Sequence, residues 1–224
     1  MKQLYIIFSN EKVSTMWTQL SWSHLRLLFT LDINCINYYV NITRKQNITV
    51  RELELKIKNN EYDRLSNETK NKLLTKEMLE VQELVPNPIL IKNKNNIDII
   101  DIINERSLHQ LILEDIESFM KELGNSFSFI GSEYKIKIDD NYHKIDLLLF
   151  NIKYNAYVVV ELKITDFKVE YISQVQKYMN YIDRNIKELS NKDTIGIIIC
   201  KKENKFVIEY CSDERIAVRK YELV

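Results

Sequence analysis

Two apolar runs in the second half of the chain restrict its fold more than any other feature of the sequence. They are Ile145–Phe150 and Tyr157–Val160. Both runs would be apolar on both faces of an extended strand, except for the single Asp in the first run. Such strands lie at the centre of a sheet, because both of their faces must be covered by other elements. The sequence therefore predicts a sheet covered by helices, which is an α/β architecture.

Helical and strand-like patterns alternate around these two runs. Helices are predicted from about Asn104 to Leu123, with Gly124 at the end, and from about Val169 to Leu189. Strand-like runs cover residues 127–138, 142–153, 156–164, 194–200, 206–211 and 216–223. The order α, β, β, β, α, β, β, β predicts one mixed central sheet flanked by helices.

The first half of the chain has a helical pattern throughout. Thr49 and Glu52 form a capping box, in which each side chain accepts a hydrogen bond from the other residue's backbone N–H. Helices are predicted at about 14–31, 50–65 and 68–84, with Trp17 and Trp22 packed in their core. We interpret this half as an all-helical, helix-turn-helix-like domain.

A proline-rich break separates the two halves. Val85-Pro86-Asn87-Pro88 ends the helical pattern because neither proline fits a helix interior, and a polar segment follows. We therefore place an N-terminal helical domain at 1–84, a linker at 85–103 and the sheet-containing domain at 104–224.

Composition excludes several classes of protein. Lys+Arg and Asp+Glu both number 32, so the chain is not a polybasic nucleic-acid binder, although a local basic groove is compatible with this balance. The three cysteines form no CxxC pair, which argues against a disulfide framework or a structural zinc site. Because no apolar run has the length of a membrane span, we expect a cytoplasmic protein with no membrane partner.

Three charged residues in or beside the apolar runs form the candidate site. A tight turn at about Lys153–Tyr154 joins the two strands as a hairpin, and its register places Asp146 directly opposite Glu161. Their Cβ atoms are then about 5 Å apart on one face of the sheet. Lys163 shares that face, because it follows Glu161 by two residues.

Two carboxylates this close repel each other unless a positive charge lies between them. Carboxylates, a backbone carbonyl and water are the ligands of Mg²⁺ or Mn²⁺, and such an ion promotes phosphodiester hydrolysis. Lys163 is then available to orient the attacking water or to stabilise charge in the transition state. The alternative is a buried ion pair of Lys163 with either carboxylate, and the residues alone leave both interpretations open.

The sequence also resembles a known family. An acid in one strand followed by Glu-x-Lys in the next is the signature of PD-(D/E)XK nucleases, here Asp146 and Glu161-Leu162-Lys163. The stretches around it resemble the YhcG-like nuclease family; they are residues 160–163, 167–171, 174–178, 20–24 and 50–54. The resemblance implies a restriction-endonuclease-like fold for the second domain.

The resemblance also implies roles for individual residues. Asp146, Glu161 and the carbonyl of Leu162 are the implied metal ligands, and Lys163 is the implied catalytic lysine. Gln174 matches the Gln-x-x-x-Tyr helix motif of the RecB-like branch, with Tyr178 one turn later, and an amphipathic helix is the competing explanation for both.

An acidic ligand from the first helix of the nuclease domain is also expected. Glu114 is the best match, with Asp115 and Glu117 as neighbours, although charge runs of this kind are usually a solvated face.

These features predict a Mg²⁺- or Mn²⁺-dependent deoxyribonuclease. The helical half is expected to bind DNA or to mediate self-association as a homo-oligomer. The alternatives are a nuclease fold used as a non-catalytic DNA-binding module, and an interaction protein in which the helical half dominates.

Overall fold

The computed structural model describes residues 20–75, 83, 85–93, 104–124, 126–203 and 213–224. The chain divides into two compact units, residues 1–64 and residues 65–224. This division lies some twenty residues before the end of the helical domain that the sequence suggested. The bounds 1–84, 85–103 and 104–224 stay a prediction.

The first unit contains three described helices: α1 (Trp22–Leu28), α2 (Ile33–Gln46) and α3 (Val50–Lys58). Each begins at a capping residue whose side chain accepts backbone N–H bonds, and these residues are Ser21, Asp32 and Thr49. The predicted capping box of Thr49 and Glu52 is confirmed. Helix α3 ends at Lys58, however, so its predicted extension to about residue 65 was wrong.

The described core of this unit is mainly aliphatic and includes the buried tyrosines Tyr39 and Tyr62. Leu28, Ile36, Leu53 and Tyr39 are buried. The prediction that Trp22 packs in the core was wrong, because its side chain is 68% exposed and meets the Phe29 ring edge-on. Trp17 lies outside the described residues.

A hydrogen-bonded carboxylate joins α2 to the segment after α3. Glu61 accepts a hydrogen bond from the Tyr38 hydroxyl on Oε1 at 2.8 Å and from Lys56 Nζ on Oε2 at 2.6 Å. The Tyr39 hydroxyl donates to the carbonyl of Lys56 and accepts from the backbone N–H of Tyr62. These polar groups are therefore satisfied within the unit.

The second unit is built on a sheet with helices on both faces. Its described helices are α4 (Asn67–Thr75), α5 (Glu105–Glu114), α6 (Ile116–Leu123) and α7 (Val169–Asn185). Its described strands are β1 (Ile89–Ile91), β2 (Phe127–Ile138), β3 (Asn141–Asn151), β4 (Ala156–Leu162), β5 (Lys192–Cys200) and β6 (Ile216–Leu223).

The described strands form one mixed sheet in the order β1-β6-β5-β4-β3-β2. The pairs β2–β3 and β3–β4 are antiparallel, whereas β4–β5, β5–β6 and β6–β1 are parallel. The predicted mixed sheet with flanking helices is confirmed. Strand β1 lies within the stretch that the sequence suggested as a linker, and the strand-like run at 206–211 lies outside the described residues.

The helix predicted over 104–123 is two helices. It breaks at Asp115, whose backbone leaves the helical region and whose side chain accepts a hydrogen bond from the N–H of Ser118. Asp115 thus caps α6 while ending α5. Gly124 ends α6 with a positive φ of 127°, as its position in the sequence indicated.

Each face of the sheet has its own core. Leu147, Leu149, Val158 and Val160 lie on the α5–α6 face, while Leu148 and Val159 lie on the α7 face. Strands β3 and β4 are therefore central and covered on both sides, as their composition predicted.

Helix α7 lies very close to β5 at a glycine. A Cβ atom added to Gly196 would lie 2.5 Å from Val175 Cγ1 and 2.9 Å from Met179 Sδ, and both of those side chains belong to α7. This close approach requires glycine, so the height of α7 over the sheet depends on Gly196.

Among the described helices, none has the length and apolar character needed to cross a membrane.

Candidate active site

The β3–β4 hairpin has the register that the sequence predicted. The ladder runs from Asn151 opposite Ala156 to Leu147 opposite Val160, and in that register the next pair is Asp146 and Glu161. Beyond Leu147 and Val160, a side chain takes the place of the backbone acceptor: Asp146 Oδ2 accepts a hydrogen bond from the backbone N–H of Leu162 at 2.7 Å.

Glu161 lies at the centre of the cluster and is buried, with its side chain 3% exposed. Its Oε1 atom accepts two hydrogen bonds, from Lys163 Nζ at 2.8 Å and from Gln174 Nε2 at 2.6 Å. Its Oε2 atom is buried and has no hydrogen-bond partner within the described part of the chain. A buried carboxylate oxygen without a donor is costly, so this atom indicates a binding position.

Burial raises the pKa values of both carboxyl groups. Burial raises the pKa of Glu161 to about 7, and the nearby charge of Asp146 adds to this effect. Burial also raises the pKa of Asp146, although the hydrogen bond from Leu162 and the charge of Lys163 oppose it. Two carboxyl groups that resist ionising together favour a cation between them.

Lys163 completes the predicted group of three. Burial acts to lower the pKa of its ammonium group, but the hydrogen bond to Glu161 and the surrounding carboxylates outweigh burial, so the pKa lies above its ordinary value. The ammonium group therefore carries its positive charge at neutral pH. The sequence prediction that Asp146, Glu161 and Lys163 lie together agrees with the described geometry.

Helix α7 contributes Gln174 and Tyr178, which lie one turn apart. The Gln174 side-chain amide donates both to Glu161 Oε1 and to the Tyr178 hydroxyl, the latter at 3.1 Å. Burial raises the pKa of Tyr178, so its hydroxyl stays protonated. Gln174 thus contacts the cluster directly, and Tyr178 contacts it through Gln174.

Helix α5 contributes two residues that the sequence interpretation did not select. Glu105 Oε1 lies 3.9 Å from Lys163 Nζ, and His109 Nε2 lies 3.2 Å from the backbone carbonyl oxygen of Asp146. They are four residues apart, so one face of α5 carries both towards the site. The spacing of Glu105 and His109 was visible in the sequence, but nothing in it showed which face of α5 meets β3.

Glu114 does not join this cluster. It is exposed and accepts a hydrogen bond from Gln110. It follows Glu105 by nine residues, which corresponds to about 13 Å along the axis and about half a turn around the helix. Its neighbours Asp115 and Glu117 contact Ser118 and Lys121, respectively. The acidic side chain that α5 brings to the site is that of Glu105.

The edge strand β2 is irregular beside Asp146. The β2–β3 ladder pairs Ser132 with Leu147 and Tyr134 with Ile145, but the intervening pair, Glu133 and Asp146, is missing. Glu133 has a left-handed backbone with φ of 45°, which is rare for a non-glycine residue. The Asp146 carbonyl accepts its hydrogen bond from His109.

The oxygen donors of the site suit a hard divalent cation. The implied ligands are the carboxylates of Asp146 and Glu161 and the carbonyl of Leu162. Among the described residues, no three His, Cys, Asp or Glu side chains converge as a ready-made metal group. A site of two carboxylates and one carbonyl leaves room for water and a substrate oxygen, which Mg²⁺ commonly retains.

Comparison with known proteins covers both units of the chain. Residues 89–224 match the YhcG PDDEXK nuclease domain, and residues 1–64 match the DUF1016 N-terminal domain. A curated relative, named "Putative nuclease YhcG" in Escherichia coli K12, is 25% identical over 187 residues. Those residues are 81% of this chain and 49% of the relative, so the chain spans about half of that protein's length.

Two solved structures match this chain over about half of its length. A repair endonuclease from Pyrococcus abyssi is 21% identical, with 55% of this chain and 48% of that chain covered and a TM-score of 0.37. An EndoMS–dsDNA2 complex is 16% identical, with 57% and 48% covered and a TM-score of 0.36. Since the nuclease-domain match alone takes in more than half of the residues, the chain belongs to the YhcG PDDEXK nuclease family.

Proposed function

We propose that this chain is a Mg²⁺- or Mn²⁺-dependent deoxyribonuclease that hydrolyses phosphodiester bonds. The observation that carries the proposal is the buried Oε2 atom of Glu161, which has no hydrogen-bond partner among the described residues and lies beside Asp146 and a charged Lys163. A purely structural carboxylate at this depth would have hydrogen-bond donors on both oxygens.

Asp146, Glu161 and the Leu162 carbonyl would hold the cation. When bound, the cation polarises a phosphoryl oxygen and lowers the pKa of a water molecule. Glu114, which the sequence suggested as a fourth ligand, is exposed at the opposite end of α5 from Glu105, and we do not assign it to the cation.

The remaining groups of the site bind the phosphodiester or orient the two carboxylates. The Lys163 ammonium group supplies a fixed positive charge for the oxygens of a phosphodiester, and its charge is worth more in a buried site than in water. Gln174 fixes the orientation of the Glu161 carboxylate through Oε1, which directs Oε2 towards the ligand position. The Leu162 N–H fixes Asp146 in the same way.

We further propose that the helical unit binds DNA or mediates self-association. Arg51 lies in the first turn of α3 and is exposed, which suits a phosphate contact. Sedimentation of the full chain with and without a DNA duplex distinguishes the two roles, since self-association raises the mass without DNA.

Metal-dependent cleavage tests the nuclease proposal. Single-stranded, double-stranded and branched DNA, with RNA of the same sequence, are incubated with Mg²⁺, with Mn²⁺ or with EDTA. The Glu161→Gln variant is the site variant, and Glu117→Gln, an exposed glutamate of α6 paired with Lys121, is the matched control. We expect cation-dependent DNA cleavage in the wild type and the control, and none in Glu161→Gln.

A different result would identify the alternative. If DNA is bound but never cleaved with any cation, and the cation causes no change in melting temperature, the domain is a binding module on a nuclease fold. If RNA is cleaved in place of DNA, the reaction class stands and the substrate assignment is wrong.

A further inference from the structure

We propose that Tyr171 is a positioning residue for Lys163, with its ring face holding the lysine ammonium group at the site. The inference rests on the proposed function, because it assigns Lys163 a part in the reaction. Tyr171 is not one of the implied metal ligands, and its contribution follows from the contact of its ring with Lys163.

The Lys163 ammonium group contacts three different elements. Its Nζ atom lies 2.8 Å from Glu161 Oε1, 3.9 Å from Glu105 Oε1 and 5.2 Å from the centroid of the Tyr171 ring. The ring distance is within the range of a cation–π interaction. Strand β4, helix α5 and helix α7 thus each contribute one partner to the same charge.

The aromatic partner differs chemically from the two carboxylates. A carboxylate accepts an ammonium N–H, whereas the negative face of an aromatic ring attracts the cation without accepting a directed hydrogen bond. An ammonium group has three N–H donors. A ring that fixes the position of Lys163 therefore leaves N–H donors available for a substrate oxygen.

The Tyr171 ring is itself held in place. Its hydroxyl is hydrogen-bonded to Thr165 Oγ1 at 2.6 Å, and the Phe167 ring meets it edge-on with centroids 6.5 Å apart. Its backbone N–H donates to the carbonyl of Lys168 in the first turn of α7. The ring has little freedom to rotate away from Lys163.

The lysine and the threonine are anchored to the same neighbouring segment. The N–H of Lys163 donates to the carbonyl of Ile199 at 2.8 Å, and the N–H of Lys201 donates to the carbonyl of Thr165 at 3.0 Å. Both residues of the segment after β4 therefore keep a constant position relative to β5. The ring, the hydroxyl pair and the ammonium group form one connected arrangement.

Two substitutions at Tyr171 distinguish the contribution of the ring from that of the hydroxyl. Tyr171→Leu removes the aromatic face and is expected to lower kcat roughly five- to thirtyfold with KM unchanged, since a cation–π contact of this kind is worth about 1–2 kcal/mol. Tyr171→Phe keeps the face and removes only the bond to Thr165. Its kcat is expected to stay within about threefold of wild type, because the ring still meets the ammonium group.

The control is Tyr181→Leu. Tyr181 is also a half-buried tyrosine of α7 and lies beside the same apolar core, ten residues further along. Tyr181→Leu removes the same side-chain volume from the same helix, but Tyr181 does not contact Lys163. Equal losses of kcat in both Leu variants would overturn the proposal, because they would show a general effect on α7.

A measurement without cleavage keeps the proposal separate from the nuclease assignment. The ring current of Tyr171 shifts the Lys163 Hε resonances upfield in the metal-free protein, and this shift is expected in wild type and Tyr171→Phe but not in Tyr171→Leu. If the shift is absent in wild type, the positioning proposal is wrong whatever the activity. If the shift is present and no DNA or RNA is cleaved, the nuclease proposal fails and the catalytic part of this inference fails with it.

Discussion

One glutamate in each unit pairs with a lysine, and the two differ in how their carboxylate oxygens are bonded: Glu61 is half-buried, whereas Glu161 is buried. Glu61 lies 2.6 Å from Lys56, and Glu161 lies 2.8 Å from Lys163. Glu61 accepts a hydrogen bond on each carboxylate oxygen. Glu161 accepts two on Oε1, while its buried Oε2 has none within the described residues.

The difference separates a structural carboxylate from a candidate ligand. A buried polar atom without a partner costs about 1–3 kcal/mol, so each one in a folded protein calls for an explanation. A salt bridge does not distinguish the two residues, because both glutamates have one. Glu161 differs in having an oxygen without a described hydrogen-bond partner and in lying next to a second carboxylate, that of Asp146.

The largest expected effect is loss of cleavage in Glu161→Gln. The neutral amide cannot hold a cation, and we expect the single-turnover rate with Mg²⁺ to fall by at least about hundredfold. The rise in melting temperature on adding Mn²⁺ is expected to disappear as well. Glu61→Gln should keep the cation-induced rise in melting temperature. If Glu161→Gln keeps both cleavage and the cation response, the contrast between the two glutamates is wrong.

The second prediction concerns the pH dependence of stability without metal. The pKa of Glu161 is raised from 4.5 to about 7, so between these values the folded state holds a proton that the unfolded state releases. Protonated Glu161 therefore contributes its whole stabilisation of the folded state below about pH 4.5, and this contribution is lost as the pH rises through about 7. The loss is at most about 3 kcal/mol.

Urea denaturation in EDTA checks this prediction. Wild-type stability is expected to fall between pH 5 and pH 7.5 relative to Glu161→Gln, and Mg²⁺ is expected to reverse part of the fall. Parallel pH profiles for the two proteins would contradict the assigned pKa.

The third prediction addresses the structural member of the pair. Glu61→Gln weakens the charge-assisted bonds to Lys56 and Tyr38, and we expect the free energy of unfolding to fall by about 1–3 kcal/mol. The double variant Lys56→Met/Glu61→Gln should recover part of that loss, because no unpaired, half-buried ammonium group remains. Urea denaturation of the full chain measures both. An unchanged stability in Glu61→Gln would show that its bonds contribute nothing.

The smallest expected effect concerns the acid of α5. Glu105 has a half-exposed side chain and lies 3.9 Å from Lys163, so Glu105→Gln is expected to lower kcat only about two- to fivefold. Glu114→Gln serves as the control and should leave kcat unchanged. A loss in Glu114→Gln with none in Glu105→Gln would reverse the assignment of the two glutamates.

Much of the sheet could be predicted from the sequence, because strand periodicity is a local property. The bounds of β2 and β6 match the predicted runs, and the β3–β4 register followed from one short turn. The neighbourhood of Asp146, Glu161 and Lys163 followed from that register. Gln174 came from the family motif, since periodicity alone could not distinguish it from a surface glutamine.

Features that depend on how distant elements pack together could not be predicted from the sequence. Asp115 ends one helix and caps another, but the apolar spacing continues across it and hides the break. His109 was not selected from the sequence, and its ring donates to the backbone carbonyl of Asp146. The sequence favoured Glu114, whereas the structure brings Glu105 close to Lys163, since no local pattern shows which face of a helix meets a strand.

Gly196 links the packing of the sheet to the chemistry of the site. Because the Val175 and Met179 side chains of α7 crowd this residue, an added methyl group would have to displace them, and a shift of α7 would lengthen the hydrogen bond between Gln174 and Glu161. The carboxylate would then lose its orienting donor without any change in the site itself. Gly196 therefore acts as a spacer whose size sets the alignment of a carboxylate that it never touches.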